Sequence, residues 1–335
     1  MEKEKKKITI VDVAEKAGVS KTTISRYLNG KYEYMSAESR ERIGEVIAEL
    51  GYRPNNLARS LKSKYSKMLG VVVSDITSPF SPILLKGISD CCEHYGYRIL
   101  IADSSDRPQK EQEYILSMLD QRVDGIILNT TGKNLEFLRE LKERDVPFVL
   151  ADRSLEEPLF DTVRTADRQI IFQVLRHLQA VGYERVGFFT EPLANSTREH
   201  RYEAFGDACR EIFAVAARDY FLTEQADAAD LLQEFLQESK GKKRAVFTAN
   251  GVVTMKMLKA MQAQSVSFPA DVGICGFDDW EWMSLVKGGI TAVAQPTYQV
   301  GRECVKRMMY RLHRSKAAPV RNIELPCEFI VRQSI

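Results

Sequence analysis

The chain has no run of about 18 uninterrupted apolar residues, the length a helix needs to cross a bilayer, so no membrane partner is expected. A secretory leader is missing too. MEKEKKKITI is charged, holds neither an apolar core nor a small-residue cleavage site, and runs straight into a polar–apolar helix pattern. A cytoplasmic location is the expectation. Metal-ligand spacing is also lacking. Cys91 and Cys92 are adjacent while Cys209, Cys275, Cys304 and Cys327 are far apart, which reads as reduced, buried, small apolar residues rather than a zinc site or disulfide framework. No GxGxxG follows the first apolar run, where the sequence is VVVSDITSPF, and GxxxxGK[ST] does not occur. A dinucleotide-dependent dehydrogenase and a P-loop enzyme are thereby disfavoured. His94, His177, His200 and His313 are scattered, and the adjacent carboxylates Asp278 and Asp279 have no nucleophile or metal set beside them. No catalytic residue, cofactor or metal is assigned.

What is present can fold. With 335 residues, 44% hydrophobic and 9% aromatic, the chain can build real cores and predicts two or three domains. Its 48 basic and 46 acidic residues nearly cancel, yet they are unevenly spread. Residues 1–67 carry 15 Lys/Arg against 9 Asp/Glu, a net +6, and the remainder carries 33 against 37, a net −4. A basic head on a mildly acidic body suggests that the head meets a polyanion. The alternative is a solvated basic tail such as Lys3 to Lys7.

The head has helical punctuation. In ITIVDVAEKAGVSKTTISRYLN, Ile10, Val13, Ala14 and Ala17 make one apolar face, with Asp12, Glu15 and Lys16 opposite. Gly18 stops that helix and Ser20 caps a second, over about Lys21 to Leu28, whose buried side is Val19, Ile24 and Leu28. Such a pair is a helix-turn-helix. The outer face of its second helix holds Lys21, Thr22, Thr23, Ser25, Arg26 and Asn29 and no acid. A major groove needs those donors and short hydroxyls; an exposed polar hairpin is the plainer reading. Ile43, Val46, Ile47 and Leu50 of a third helix, Ser36 to Leu50, would close the core, and Gly51 to Pro54 end it. Asn55 to Lys62 follow, with Leu57, Ala58 and Leu61 on one side. Eight residues are too few for a stable isolated helix; a Leu beside Arg and Lys suits either a minor-groove wedge that orders on a partner or a plain linker.

From Met68 onward short apolar runs alternate with helical patterns. LGVVV, RILIA, GIILN and PFVLA form one set, RVGFF, RAVFT and VGICG a second, and a last strand is expected over Ile323 to Val331. Repeated β-α units imply two parallel-sheet lobes with a cleft between them. Ligands in such folds bind beyond the carboxyl ends of the strands. The loops there mix hydroxyls, carboxylates, amides, arginines and aromatics, among them Asp75, Asp103, Asn129, Arg153, Asn250 and Trp280. Polyhydroxyl ligands ask for that mixture.

ITIVDVAEKAGVSKTTISRYLNG, then ELGYRPNNLARSL, then LGVVVSD, together resemble the LacI/GalR family of bacterial transcription regulators, from Ile8 to near the C-terminus. Within it, SRYLNGKYEYMS is similar to the Gram-positive repressors of 2-keto-3-deoxygluconate catabolism. The resemblance implies an all-α helix-turn-helix head over 1–53, a hinge helix and linker over 54–67, and an α/β periplasmic-binding-protein-like core of two Rossmann-like lobes over 68–335. Lobe 1 would comprise about 68–165 and 296–324, and lobe 2 about 166–295 and 325–335. The resemblance places Lys21, Thr22 and Arg26 on bases, Leu61 beside Ala58 in the minor groove, and Thr9, Ser20, Thr23, Ser25, Asn29 and Asn55 near the backbone or groove edge. In the core it places Phe80, Asp152, Arg153, Arg201, Asn250, Asp278 and Gln295 around the effector. Gly251 and Arg168 stand where the family usually has an acid and an asparagine.

The expected function is a sequence-specific repressor of a carbohydrate or sugar-acid operon, bound as a homodimer to double-stranded operator DNA and released by a small polar effector. The dimer follows from the few residues after Val331, too few for the leucine-heptad helix of tetrameric relatives. If two or more of Arg153, Arg164, Arg168 and Arg201 converge, a sugar acid fits better than a neutral sugar; otherwise they are ordinary salt bridges. The alternatives are a sugar-binding protein of transport, which would have a signal peptide, and an enzyme of sugar-acid metabolism.

Overall fold

The computed structural model describes residues 8–52, 65–313 and 318–335. They belong to two compact units, Met1–Ser66 and Lys67–Ile335.

The first unit is built by its caps. Helix α1 (Ile10–Lys16) starts at Thr9, which forms a capping box with Asp12, so Asp12 does more than face solvent: it satisfies an orphan N–H at the helix start. Gly18 takes φ +63°, a turn that any Cβ would strain. Ser20 caps α2 (Lys21–Leu28), Ser36 caps α3 (Ala37–Leu50), and Gly51 closes α3 at φ +56°. Val13, Ala14, Ala17, Ile24, Ile43 and Val46 are buried together, flanked by Val19, Leu28 and Ile47.

The second unit holds two sheets. Strands β1 (Met68–Val73), β2 (Arg98–Asp103), β3 (Gly125–Leu128), β4 (Phe148–Ala151), β5 (Asp161–Thr165) and β11 (Asn322–Leu325) form a parallel sheet in the order β11-β5-β4-β3-β1-β2. Strands β6 (Arg185–Thr190), β7 (Arg218–Phe221), β8 (Arg244–Thr248), β9 (Gly273–Phe277), β10 (Thr291–Ala294) and β12 (Glu328–Ile330) form the other, in the order β12-β10-β9-β8-β6-β7, with only β12 antiparallel. Central strands such as β3, β4 and β9 are buried along their whole length, because helices cover both faces. Helices α4 (Phe80–His94), α5 (Pro108–Asp120) and α6 (Leu135–Glu143) belong to the first sheet's lobe, and α7 (Asp167–Ala180), α8 (Ser196–Ala208), α9 (Ala228–Glu238) and α10 (Gly251–Ala263) to the second. Helix α11 (Thr297–His313) returns to the first lobe and packs so closely on α4 that a Cβ on Gly301 would meet the Leu84 carbonyl at 2.3 Å.

The single strand expected over Ile323 to Val331 is corrected to two, β11 in one sheet and β12 in the other. Pro326 separates them, and a residue without an N–H cannot continue a ladder. Thr165, Gln295 and Cys327 lie where the chain passes between the lobes, and Thr165 Oγ1 reaches Gln295 Oε1 at 3.4 Å. No helix of the described residues is long and apolar enough to cross a membrane.

Candidate functional site

On the head, Lys21, Thr22, Arg26 and Asn29 of the α2 face are exposed, and Thr23 and Ser25 are partly buried. Several hydroxyls there have structural duties. Thr9 Oγ1 donates to Asp12 at 2.7 Å, Ser20 Oγ accepts the Thr23 N–H at 3.1 Å, and the two hydroxyls of Ser20 and Thr23 bond at 2.9 Å. Asn29 Nδ2 donates to the Ser25 carbonyl at 2.8 Å. The Arg26 guanidinium stacks 5.0 Å from the ring centre of Tyr34, itself 64% exposed, so a neighbouring aromatic orients the arginine. Asn55, Ala58 and Leu61 lie outside the described residues.

In the body, a cavity of about 200 Å³ opens between the lobes, lined by Phe80, Asp152, Arg153, Arg201, Asn250, Asp278 and Gln295 together with Ser74, Asn129, Glu191, Asn195, Arg198 and Trp280. The topology explains why. Asp152 follows β4 and Asp278 follows β9, both with positive φ, 67° and 70°, a region that Asp tolerates better than most residues. Each donates its N–H to the next strand, Asp152 to Val163 and Asp278 to Val293. The two carboxylates therefore leave equivalent strand ends of the two sheets and enter one space. Asn195 and Asn250 cap α8 and α10 there, so the positive ends of two helices face the cavity. A wider groove of about 950 Å³ shares Glu191 and Arg198 with the cavity and runs over Leu222, Ala228 and Lys259. Its lining, which includes Glu224, Asp227 and Lys256, comes from the second lobe alone, whereas the smaller cavity draws on strand ends of both sheets, so the inter-lobe cavity is the candidate.

Arg201 is 4% exposed. It donates to Asp167 at 3.1 Å, to the Ala249 carbonyl at 2.8 Å and to Gln295 Oε1 at 2.9 Å, and lies 3.8 Å over the Phe277 ring centre. Burial alone would ease its deprotonation, but Asp167, Asp278 and Asp152 outweigh burial and keep it charged. Burial raises Asp152 above the ordinary carboxylate range, against the pull of Arg201 and Arg153. Asp278 accepts the Gly251 N–H at 2.9 Å and the Gln295 amide. Arg153 donates to Asp106 at 2.5 Å and to the Thr130 carbonyl at 3.3 Å. Phe80 heads α4, and Asn250 turns its amide toward Glu191 at 3.4 Å.

Of the four arginines considered from sequence, two line the cavity, Arg153 and Arg201. Arg164 instead binds Glu324 and His200, and Arg168 binds Asp207 and stacks on Phe172. Asp279 turns away from the cavity to Arg332, at 2.6 and 2.8 Å. Among the described residues no group of three or more His, Cys, Asp or Glu could hold a metal.

Two family models cover nearly the whole chain. Residues 9–55 match the bacterial regulatory proteins of the lacI family, and residues 66–333 match the periplasmic binding proteins and sugar binding domain of that family. The chain belongs to the LacI family. The HTH-type transcriptional regulator KdgR of Bacillus subtilis is 39% identical over 331 residues, 98% of this chain and 97% of that one. The HTH-type transcriptional regulator PtxS of Pseudomonas putida is 35% identical, over 98% of this chain and 96% of its own. The fold matches a crystal structure of the lac repressor dimer bound to operator and an anti-inducer, with a TM-score of 0.84 at 24% identity over 98% of this chain and 99% of that one.

Against the LacI-family pattern, Gly251 is explained by its neighbour. A Cβ there would lie 2.8 Å from three ring atoms of Trp280; the indole fills the space of the missing acid. The sequence names Asn129 and Trp280 only as members of ligand-suited loops, and Arg198 not at all; the structure puts all three in the cavity lining. The usable signal was their position just past a parallel strand or at a helix start.

Proposed function

We propose that this LacI-family protein is a dimeric repressor released from operator DNA by a sugar acid bound between its lobes. The observation that carries the ligand class is the sharing of one cavity by Arg153 and Arg201, with Arg198 beside them. Guanidinium forks pair with carboxylates, while Ser74, Asn129, Asn195 and Asp278 offer the donors and acceptors that ligand hydroxyls need. The Trp280 ring suits the C–H face of the ligand. The similarity of SRYLNGKYEYMS to the repressors of 2-keto-3-deoxygluconate catabolism makes that acid the first to test.

On DNA, Lys21, Thr22 and Arg26 read the major groove and Leu61 enters the minor groove next to Ala58, with Thr9, Ser20, Thr23, Ser25, Asn29 and Asn55 near the backbone or groove edge. Exposed apolar residues of the body support pairing of two chains: Ile83 and Ile101 in the first lobe, and Leu285, 80% exposed beside Trp282 and Val286, in the second. Two heads then meet two half-sites. Release follows from linkage, because the ligand prefers the lobe arrangement that does not hold the connector over 54–67 on DNA. The cavity's charged groups are committed to one another rather than to a nucleophile, which favours binding over turnover.

A thermal-shift titration tests the ligand class. A sugar acid at 100 times its dissociation constant adds about 2.7 kcal/mol, seen as a raised midpoint, whereas glucitol leaves it in place. Stabilisation by neutral sugars alone contradicts the reading.

A further inference from the structure

We propose that Asp106 acts as an internal substitute for the ligand's carboxylate, occupying Arg153 until an anion displaces it and setting which anions enter; this rests on the sugar-acid reading above. The cavity lining holds the carboxylates of Asp75, Asp106, Asp152, Glu191 and Asp278 against the guanidiniums of Arg153, Arg198 and Arg201. With more carboxylates than cations, an incoming anion meets no spare positive charge and must displace a resident one. Glu191 is deeply engaged, 21% exposed and bonded to Arg198, Lys256 and Asn250. Asp106 is 49% exposed and bonds by one oxygen to an Arg153 that is only 11% exposed. Its release into water is therefore the easier exchange, and the guanidinium it vacates is the more desolvated partner.

The loop is built to hold that carboxylate in place. Ser105 and Asp106 sit at φ 51° and 52°, two successive non-glycine residues in the left-handed region. Hydrogen bonds pin them there. Asp103 accepts the Ile76 and Ser105 N–H groups at 3.2 Å and the Ser105 hydroxyl at 2.9 Å, and the Asp106 N–H donates to the Ser74 carbonyl at 2.7 Å. The opposite side is fixed as well. Glu111, fully buried, accepts the Thr131 N–H at 2.6 Å and the Asn134 amide at 2.9 Å, holding the loop whose Thr130 carbonyl receives Arg153. A neutral sugar enters with the Asp106–Arg153 pair intact. A sugar acid exchanges one carboxylate for another and gains through its hydroxyls, whereas a small anion without them gains nothing. Asp106 thus rejects inorganic phosphate and admits polyhydroxy acids.

The test is calorimetric titration of the full chain and its Asp106→Asn variant with 2-keto-3-deoxygluconate, gluconate, inorganic phosphate and glucitol. Asn is well tolerated in the left-handed region and the backbone bond to Ser74 is unaffected; Asp106→Gly, which suits the same backbone conformation, and the unliganded melting midpoint guard against a folding defect. The expected result is acid binding tightened about fivefold, newly measurable phosphate binding, no change for glucitol, and loss of the whole effect in an Arg153→Gln background. Unchanged or weakened acid binding by both Asp106 variants overturns the proposal while leaving the sugar-acid reading in place. Acid binding only by the variants supports the role of Asp106 and overturns the reading. No acid binding by any form overturns both.

Discussion

Arg201 donates to Gln295 Oε1 at 2.9 Å, and the other end of the same amide donates to Asp278. Gln295 lies on the segment that joins β10 of one lobe to α11 of the other. A ligand that engages Asp278 or Arg201 therefore acts on groups bonded directly to an inter-lobe connection.

Replacing Gln295 with Leu leaves a buried guanidinium nitrogen unpaired. A lost hydrogen bond to a charged group is worth about 1.5–3 kcal/mol. The variant is expected to bind the acid roughly tenfold or more weakly and to need correspondingly more of it to leave DNA, measured by calorimetry and by anisotropy of labelled operator. Wild-type affinity would remove Gln295 from the site.

Gly251→Asp restores the acid that the family pattern favours and collides with Trp280, 2.8 Å from the position of its Cβ. Overpacking of this kind costs about 1–3 kcal/mol. The ring must move, so intrinsic fluorescence shifts and acid affinity falls at least several-fold. Because Trp280 and Trp282 are the only tryptophans, a Trp282→Phe background assigns the shift.

His200 accepts a hydrogen bond from Arg164 at 2.8 Å, joining α8 to β5 across the lobes. Burial, and then the Arg164 charge, hold His200 below the ordinary histidine value of 6.5. The unfolded chain therefore binds this proton more readily, and the bond's stabilisation is present above 6.5 and lost as pH falls from there toward the folded value. The melting midpoint of the wild type should drop between pH 7.5 and 5.5 by more than that of His200→Gln. Equal drops contradict the assignment.

Arg26→Ala is expected to cost about 1–3 kcal/mol of operator affinity and to relax one base position. Tyr34→Ala, which frees the same arginine from its ring, should cost less and leave base preference intact. Competition binding with single-base operator variants separates the two.

The head was legible because capping and periodicity are local: Ser20, Ser36, Gly18 and Gly51 act within a few residues of themselves. The buried central strands were legible as continuous apolar runs. Strands β5, β7 and β10 were not picked out, since DTVRT and RDYF carry polar residues and TAVA is too short to show a period. The shape of the cavity was the least accessible part. That Arg153 and Arg201 meet in it while Arg164 and Arg168 do not depends on which partner each finds, Asp106 and Gln295 in one case, Glu324 and Asp207 in the other. Those partners are far apart in the chain, and no local pattern encodes them.

The most direct measurement is binding of the purified full-length protein to labelled DNA from upstream of its own gene, at fixed salt, with 2-keto-3-deoxygluconate, gluconate or glucitol titrated in. The account predicts a salt-dependent complex that a sugar acid dissolves and glucitol does not. Indifference of the protein to that DNA, or a complex untouched by every sugar acid yet dissolved by a neutral sugar, would contradict it.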